Sequence, residues 1–266
     1  MLSMLTLNLQ AAALPRAKQL LTWLDTRDDD LLMLTETSRG GGTTHVLDQC
    51  RAAGLSVIDN AGTDGDRGCA IISRVPITAR PDLLPTVTLP GRAVAATIDS
   101  DPAITVLGLY VPSGDRTPDK VANKQAFLAS VLNDLREFSS QQRAKLVVGG
   151  DYNVIARDHH PRYSLFLPFE YEFLDRLVEL GLTDAYQRLQ PTAQAHSWFG
   201  RDGSGYRFDY FHVGVALIPA LVGCDYLQDP RERGLTDHAG VTLTLRVSSQ
   251  RIASDGQGLA SAGALF

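Results

Sequence analysis

Leu5, Leu7 and Leu9 alternate with Thr6, Asn8 and Gln10 near the start of the chain, a period of two that predicts a half-buried strand with Asn8 opposite the leucine face. The period then lengthens. Pro15 opens a segment in which Ala17, Leu20, Leu21 and Leu24 form one apolar stripe, so a helix is expected there. Leu31-Leu32-Met33-Leu34 predicts a buried strand running into Thr35-Glu36, and a second helix is expected over Val46 to Ala53. Short strands follow around Ser56 to Ile58, Ala70 to Ser73, Ala93 to Ile98 and Thr105 to Leu109, and their close spacing favours antiparallel pairing.

The second half repeats the alternation of helix and strand. Leu128, Val131, Leu132, Leu135 and Phe138 fall at i, i+3, i+4, i+7 and i+10, which predicts a long amphipathic helix. It leads to the apolar run Leu146-Val147-Val148. Phe173, Leu174, Leu177 and Val178 predict a further helix near Glu170 to Leu180, with Gly181 as its C-terminal cap. Tyr206 to Val213 and Val241 to Leu245 are expected as late strands. From Ser248 onward Ser, Gly, Gln and Ala replace any apolar period, so residues 1–247 are expected as one domain and 248–266 as a disordered tail.

Composition adds exclusions. With 266 residues, 44% of them hydrophobic, the chain can bury a large core, yet no stretch approaches the roughly 20 apolar residues of a membrane helix. The N-terminus lacks a basic region before its apolar run, which Asn8 and Gln10 interrupt, so secretion is not expected and a cytoplasmic location is. Cys50, Cys69 and Cys224 form no CxxC pair and are expected as buried small hydrophobes. A net charge of -5 does not announce a nucleic-acid binder, although Arg67, Arg92, Arg116, Lys120, Lys124, Arg157, Arg162, Arg201 and Arg207 are candidate phosphate contacts. Taken one at a time, such side chains are more often solvated surface.

The candidate chemistry lies at the ends of predicted strands. Gly149-Gly150-Asp151-Tyr152-Asn153 follows an apolar run, and glycines there bring the backbone close to a ligand. Side chains at i and i+2 of an extended segment point the same way, so Asp151 and Asn153 can hold one water or one phosphate between them. Turns carry Asp and Gly for conformational reasons alone, and the rest of the set carries the weight. That set is Asn8, Glu36, Tyr110 in Tyr110-Val111-Pro112-Ser113-Gly114, Asp209 in Tyr206-Arg207-Phe208-Asp209-Tyr210, and Thr236-Asp237-His238. No P-loop, GxSxG elbow, HExxH helix or EF-hand loop competes with it. The adjacent His159 and His160 diverge if extended and have no partner at metal-ligand spacing, so a surface loop is expected, from which Arg162 or His160 can reach over the cleft.

In this order of motifs the chain resembles the endonuclease/exonuclease/phosphatase superfamily, with Gly68-Cys69-Ala70-Ile71-Ile72-Ser73 similar to its glycine-led central strand. Within it, Tyr110-Val111-Pro112, the Asp151 motif, His196-Ser197-Trp198-Phe199, Arg207-Phe208-Asp209-Tyr210 and Asp237-His238 are most similar to exonuclease III and abasic-site endonucleases. The resemblance implies a four-layer αββα sandwich, two mainly antiparallel sheets flanked by helices, with the catalytic domain over residues 1–247. Gln10 and Ser38 depart from the family pattern, which usually has an acidic or small polar residue and a lysine at those places.

The resemblance also implies a metal-dependent phosphodiester hydrolase, and the side chains suit that chemistry. Glu36 is a hard oxygen ligand for Mg²⁺ or Mn²⁺, with Asp237 as the additional ligand or the group that helps protonate the leaving oxygen. Asp151 is expected as the general base, Asn8 and Asn153 as amides that position water and phosphate, and Tyr110 as a donor to a phosphoryl oxygen. His238 would contact the phosphate while Asp209 fixes its tautomer or favours its charged form. Trp198, Tyr206 and Phe208 are similar to the residues that wall a sugar pocket, with Arg207, Lys124 and Arg162 as further substrate contacts. Regular alternation puts Tyr206 and Phe208 opposite Asp209, so a bend or bulge before Asp209 is required if all three line one cleft. The expected substrate is DNA, handled by a monomer with no protein partner. A phosphodiesterase or phosphatase for a small molecule or RNA is the alternative, and a catalytically inactive binding module the third reading.

Overall fold

The early alternation becomes the strand Leu2–Asn8, and it is buried on both faces rather than one. Leu5, Leu7 and Leu9 meet Leu20, Leu21, Leu24, Val46 and Leu47 of the helices Leu14–Asp25 and Gly41–Ala52. Leu2 and Met4 face the other way, into a core shared with Met33, Ile71, Val106, Val147, Phe211 and Val241. Half-burial fails as an expectation because a second sheet covers the face that Thr6 and Asn8 share, and both are wholly buried.

The structure, a computed structural model, describes residues 1–60, 66–114 and 116–252. One six-stranded sheet runs Leu221–Leu227, Gly240–Leu245, Leu2–Asn8, Leu31–Thr37, Gly68–Ser73, Ser56–Asn60 from edge to edge. The other runs Leu182–Asp184, Asp209–Gly214, Leu146–Asp151, Ile104–Tyr110, Ala93–Ile98, Ile77–Ala79. Each sheet is antiparallel but for one pair. Leu2–Asn8 runs parallel to Leu31–Thr37, and Ile104–Tyr110 runs parallel to Leu146–Asp151. The helices Pro118–Glu137 and Pro168–Glu179 cover the outer face of the second sheet through Phe127, Leu128, Val131, Leu135, Phe173 and Leu177. The result is the αββα sandwich of two mainly antiparallel sheets.

Several boundaries shift. The second helix starts at Gly41, well before Val46. The long helix ends at Glu137, so Phe138 caps it from outside while remaining buried. Val178 is exposed, off the apolar stripe of its helix, which Gly181 terminates at φ +85° as a left-handed cap. Gly68–Ser73 lies one strand in from the sheet edge. Tyr206 to Val213 is two short pieces, Gly205–Tyr206 and Asp209–Gly214, with the ladder broken between them.

Strand pairing continues past residue 247. Ser248–Ser249 pairs with Ser100–Asp101, and the Arg251 Nε donates to Asp30 Oδ1 at 2.7 Å. The remainder of the expected disordered tail, 253–266, lies outside the described residues. Among the described residues no helix is long and apolar enough to cross a membrane. Cys50, Cys69 and Cys224 are buried free thiols, as expected.

Candidate active site

The two parallel pairs end on the same side of the molecule, and their C-terminal ends carry Asn8, Glu36, Tyr110 and Asp151. Asn8 joins the two sheets. Its Oδ1 accepts the Gln10 N–H at 2.7 Å, which leaves Nδ2 to donate to Glu36 Oε1 at 3.1 Å and to Asp151 Oδ2 at 2.9 Å. The same nitrogen lies 3.5 Å from His238 Nε2.

Glu36 is aimed by backbone irregularity. The ladder to Gly68–Ser73 shifts register between Thr35 and Thr37, and Glu36 sits at φ +50°, a conformation that non-glycine residues seldom hold without a reason. Asn153 has φ +49°, so each half of the site aims a polar side chain from the left-handed region, which Gln10 and Ala11 just past Asn8 also occupy. Gly150 is obligatory between them: a Cβ there would lie 2.1 Å from the Leu109 carbonyl oxygen, and its own φ is +131°.

Asp151 is 1% exposed and accepts the Asn153 backbone N–H at 3.0 Å and Asn153 Nδ2 at 3.1 Å. The carboxamide thus grips the carboxylate directly, and its second donor goes to the Val111 carbonyl at 3.0 Å. Burial and the neighbouring Asp209 push the Asp151 carboxyl up to about 8, against the opposing pull of His238. Across the cluster, His238 Nδ1 lies 2.8 Å from Asp209 Oδ2. Burial disfavours charge on this imidazole, but the carboxylates of Asp209 and Asp151 outweigh it and raise His238 to about 10. Asp209 therefore favours the charged ring. The Tyr110 ring, under the Arg92 guanidinium at 4.5 Å, is buried, and burial followed by Glu36 and Asp151 pushes its phenol far up.

Above this floor opens a cavity of about 390 Å³, lined at its base by Glu36, Asn153, Asp237 and His238. Trp198, Tyr206, Phe208 and Phe166 form its wall, with Arg116 beside them. Trp198 pairs with Tyr206 across a short ladder, and the Tyr206 and Phe208 rings stack at 5.1 Å and 17°. The break before Asp209 is the irregularity that alternation required: Tyr206 and Phe208 share the cavity, while the Asp209 carboxylate turns to His238. Trp198 Nε1 donates to Asp237 Oδ2 at 3.0 Å, and Asp237 Oδ1 is buried with no hydrogen-bond partner among the described residues.

Three of the expected substrate contacts lie elsewhere. Arg207 is 7% exposed and donates to Asp184 Oδ1 and to the Tyr226 hydroxyl, each at 2.7 Å, so it points away from the cavity. Lys124 is 2% exposed, with Nζ donating to Glu170 Oε1 at 2.6 Å and to the Asn153 carbonyl at 2.7 Å. It holds the backbone behind the site. Arg162 is exposed and lines a separate open groove with Arg157, Tyr163 and Ser164. The histidine pair splits: His160 is exposed, whereas His159 is buried and its Nε2 accepts the Arg207 backbone N–H at 3.2 Å.

The sequence reading passed over Glu170, Ser197 and Phe166. Glu170 is wholly buried and also accepts from Arg116 at 2.9 Å. Ser197 Oγ accepts the N–H groups of Phe208 and Asp209 at 2.9 and 3.1 Å and so fixes the break in the strand. Its place in the His196-Ser197-Trp198-Phe199 motif was the available signal. Phe166 had none, since it comes from an irregular loop.

A family model described as the Endonuclease/Exonuclease/phosphatase family matches residues 5–239. The chain is 28% identical over 173 residues to the DNA repair nuclease APEX1 of Danio rerio, covering 59% of this chain and 53% of that protein. It is 27% identical over 164 residues to exodeoxyribonuclease III of Haemophilus influenzae, covering 52% of this chain and 60% of that protein. The matched region thus spans little more than half the length of these relatives. Among solved structures, an AP endonuclease from Archaeoglobus fulgidus superposes with a TM-score of 0.76 at 21% identity, covering 92% of this chain and 99% of that one. The 3′ phosphatase NExo from Neisseria, bound to a product DNA hairpin, superposes with a TM-score of 0.75 at 22% identity and the same coverage. At such identities the superpositions show the shared fold.

Proposed function

The chain belongs to the endonuclease/exonuclease/phosphatase family, and on that premise we propose that it is a Mg²⁺-dependent phosphodiester hydrolase acting on DNA, in the manner of exonuclease III and abasic-site endonucleases. The observation that carries this reading is the single hydrogen-bonded cluster of Glu36, Asn8, Asp151, His238 and Asp209 at the base of an aromatic-walled cavity. The names of the curated relatives support DNA as the substrate.

The residues fit a hard divalent cation. Asp237 Oδ1 is buried without a hydrogen-bond partner among the described residues, and Glu36 meets only neutral donors in the Asn8 amide and the Tyr110 phenol among those residues, so both have lone pairs to give. A second grouping, Asp151, Asp209 and His238, also brings possible ligand atoms within 4.8 Å of one another. There His238 Nδ1 and Asp209 Oδ2 already engage each other and Asp151 Oδ2 accepts the Asn8 and Asn153 amides, and we assign Glu36 and Asp237 as the ligands. When bound, the ion would neutralise charge on the phosphoryl oxygens.

The remaining chemistry falls to the side chains. Asp151, raised toward neutrality by burial, takes the proton of the attacking water while Asn8 and Asn153 fix its orientation. His238, held charged by Asp209, donates to a phosphoryl oxygen where negative charge grows. Tyr110 lies behind Glu36 as a further donor. Trp198, Tyr206 and Phe208 enclose the sugar.

A small phosphodiester is the second reading, favoured by the net charge of -5 and by a cavity with one arginine in its lining. Abasic duplex, nicked duplex, single strand, RNA and small phosphodiesters, each incubated with Mg²⁺, separate the two. Cleavage of a DNA substrate that chelation abolishes is expected, and Glu36→Gln should lower it by orders of magnitude even at saturating Mg²⁺. Hydrolysis confined to the small phosphodiesters, with no salt-dependent affinity for DNA or RNA, would replace the first reading by the second.

A further inference from the structure

Asp209 holds His238 by one oxygen only. Its Oδ2 makes the 2.8 Å contact to Nδ1, while Oδ1 is buried with no hydrogen-bond partner among the described residues. The orientation of this carboxylate therefore depends on how firmly its backbone is held. One tie is the Asp209 N–H on Ser197 Oγ, already described; the other is its carbonyl, which accepts the Tyr226 hydroxyl proton at 2.6 Å.

That hydroxyl is itself held. Arg207, between two rings that face the cavity, turns the opposite way, and its Nε donates to the Tyr226 oxygen. Its Nη2 donates to Asp184, and its guanidinium carbon lies 5.0, 4.6 and 5.6 Å from the ring centres of Tyr186, Tyr210 and Tyr226. Asp184 alone would balance the charge. The donation to Tyr226 adds something different, since it fixes a hydroxyl whose proton must then point at Asp209. A planar fork of donors can reach both partners while stacked among rings, and an ammonium on a flexible stem cannot.

We propose that Arg207 and Tyr226 are positioning residues for catalysis, a buried relay that sets the Asp209 carboxylate against His238 by fixing the Asp209 carbonyl. The relay rests on the role given to His238 above. It assigns Arg207, a motif residue expected to touch substrate, a task behind the active site. Displacements below an ångström at such a pair are costly to the rate, because productive geometry is narrow.

Tyr226→Phe tests this with the smallest change, one hydroxyl. It should lower kcat on a DNA substrate by about tenfold, the rate equivalent of one ordinary hydrogen bond, with KM unchanged within about twofold. Arg207→Lys should lower kcat likewise despite keeping the charge. In the resting protein, the proton NMR signal of His238 Nδ1–H, assigned by its loss in His238→Gln, should shift in Tyr226→Phe and exchange faster with water. Wild-type kcat with an unmoved imidazole signal in a folded Tyr226→Phe protein would overturn the relay. So would a rise in KM alone, which would mean that Arg207 serves only the aromatic wall. Should Arg207→Lys fail to fold, Tyr226→Phe decides by itself. Should the wild-type protein cleave no DNA, the nuclease reading fails instead, and the imidazole signal still decides the relay.

Discussion

Lys124→Met should destabilise the protein without touching its substrate surface. The ammonium is 2% exposed and makes two short contacts, to the wholly buried Glu170 at 2.6 Å and to the Asn153 carbonyl at 2.7 Å. Methionine fills most of the volume but leaves the Glu170 carboxylate buried with Arg116 and the Leu167 N–H as its remaining partners. Breaking a buried pair by removing one partner costs about 3–5 kcal/mol, and the surviving arginine puts this case at the lower end, about 3 kcal/mol. For a chain of this size that corresponds to a fall in Tm of roughly 6 °C.

The pH dependence gives a second handle. Burial works against charge on Glu170, but Lys124 with the Leu167 N–H outweighs it and lowers the carboxyl below its usual 4.5. A depressed carboxyl contributes stability that is present above the unfolded pKa and lost as pH falls through the folded one. The gap in Tm between wild type and Lys124→Met should therefore be full near neutral pH and narrow below about pH 4.5. Calorimetric melts across that range, with Glu170→Leu added to Lys124→Met to remove the stranded charge, measure both effects. A Tm within about 2 °C of wild type at neutral pH would refute the reasoning, as would a double variant less stable than Lys124→Met. The salt dependence of DNA binding should not change, because Lys124 faces no phosphate.

Asp151→Asn should slow hydrolysis by about 10²–10⁴-fold while DNA still binds; lost binding with an intact single-turnover rate would reverse the role of Asp151. Trp198→Ala removes part of the cavity wall and the bond to Asp237, so cleavage at an abasic site should slow far more than removal of ordinary 3′ nucleotides; equal losses in parallel assays would mean the wall does not enclose the sugar. His212 is buried against Tyr152 and Tyr210, and burial, against the opposing pull of Asp184, lowers it from 6.5 to about 4. Its contribution of about 3 kcal/mol is thus present above pH 6.5 and lost as pH falls toward 4, so His212→Phe should flatten the stability profile there, and denaturant melts with unchanged slope would refute this.

The elements with strong periodicity were legible because their period reports burial directly. Leu20, Leu21 and Leu24 or Leu128, Val131 and Leu135 can face only one way, and the helices that carry them lie where expected. Strand ends with glycines gave the Asp151 motif for the same reason. Arg207 and Lys124 were misplaced because charge suggests exposure, and nothing local shows that Asp184 or Glu170, distant in sequence, will pair with them inside the fold. The extent of the first strand's burial was hidden likewise, since Thr6 and Asn8 look like a solvent face until a second sheet closes over them. Glu36 in its left-handed conformation had no signal at all: the sequence offers no glycine or asparagine there to announce it.

That strain follows from how the two halves meet. Each half sends a strand out, returns through a helix, and lays a second strand parallel to the first, so each sheet ends one parallel pair on the same side. Strand geometry alone would aim alternate side chains at the two faces of each sheet, toward the inter-sheet core or the helices, and none along the strand axis. A site at the rim needs side chains that leave this pattern. Glu36 does so at a register shift and Asn153 just past its strand, both at positive φ, while Asn8 is turned by the bond from Gln10 N–H to its own oxygen. One amide nitrogen then contacts a carboxylate from each sheet, Glu36 and Asp151. Because the contact to Asp151 crosses from one sheet to the other and is lost if they slide, while the contact to Glu36 stays within one sheet, the local backbone strain and the packing of the two sheets are coupled through Asn8, and the buried core between them stabilises a geometry that the polar residues alone would not hold.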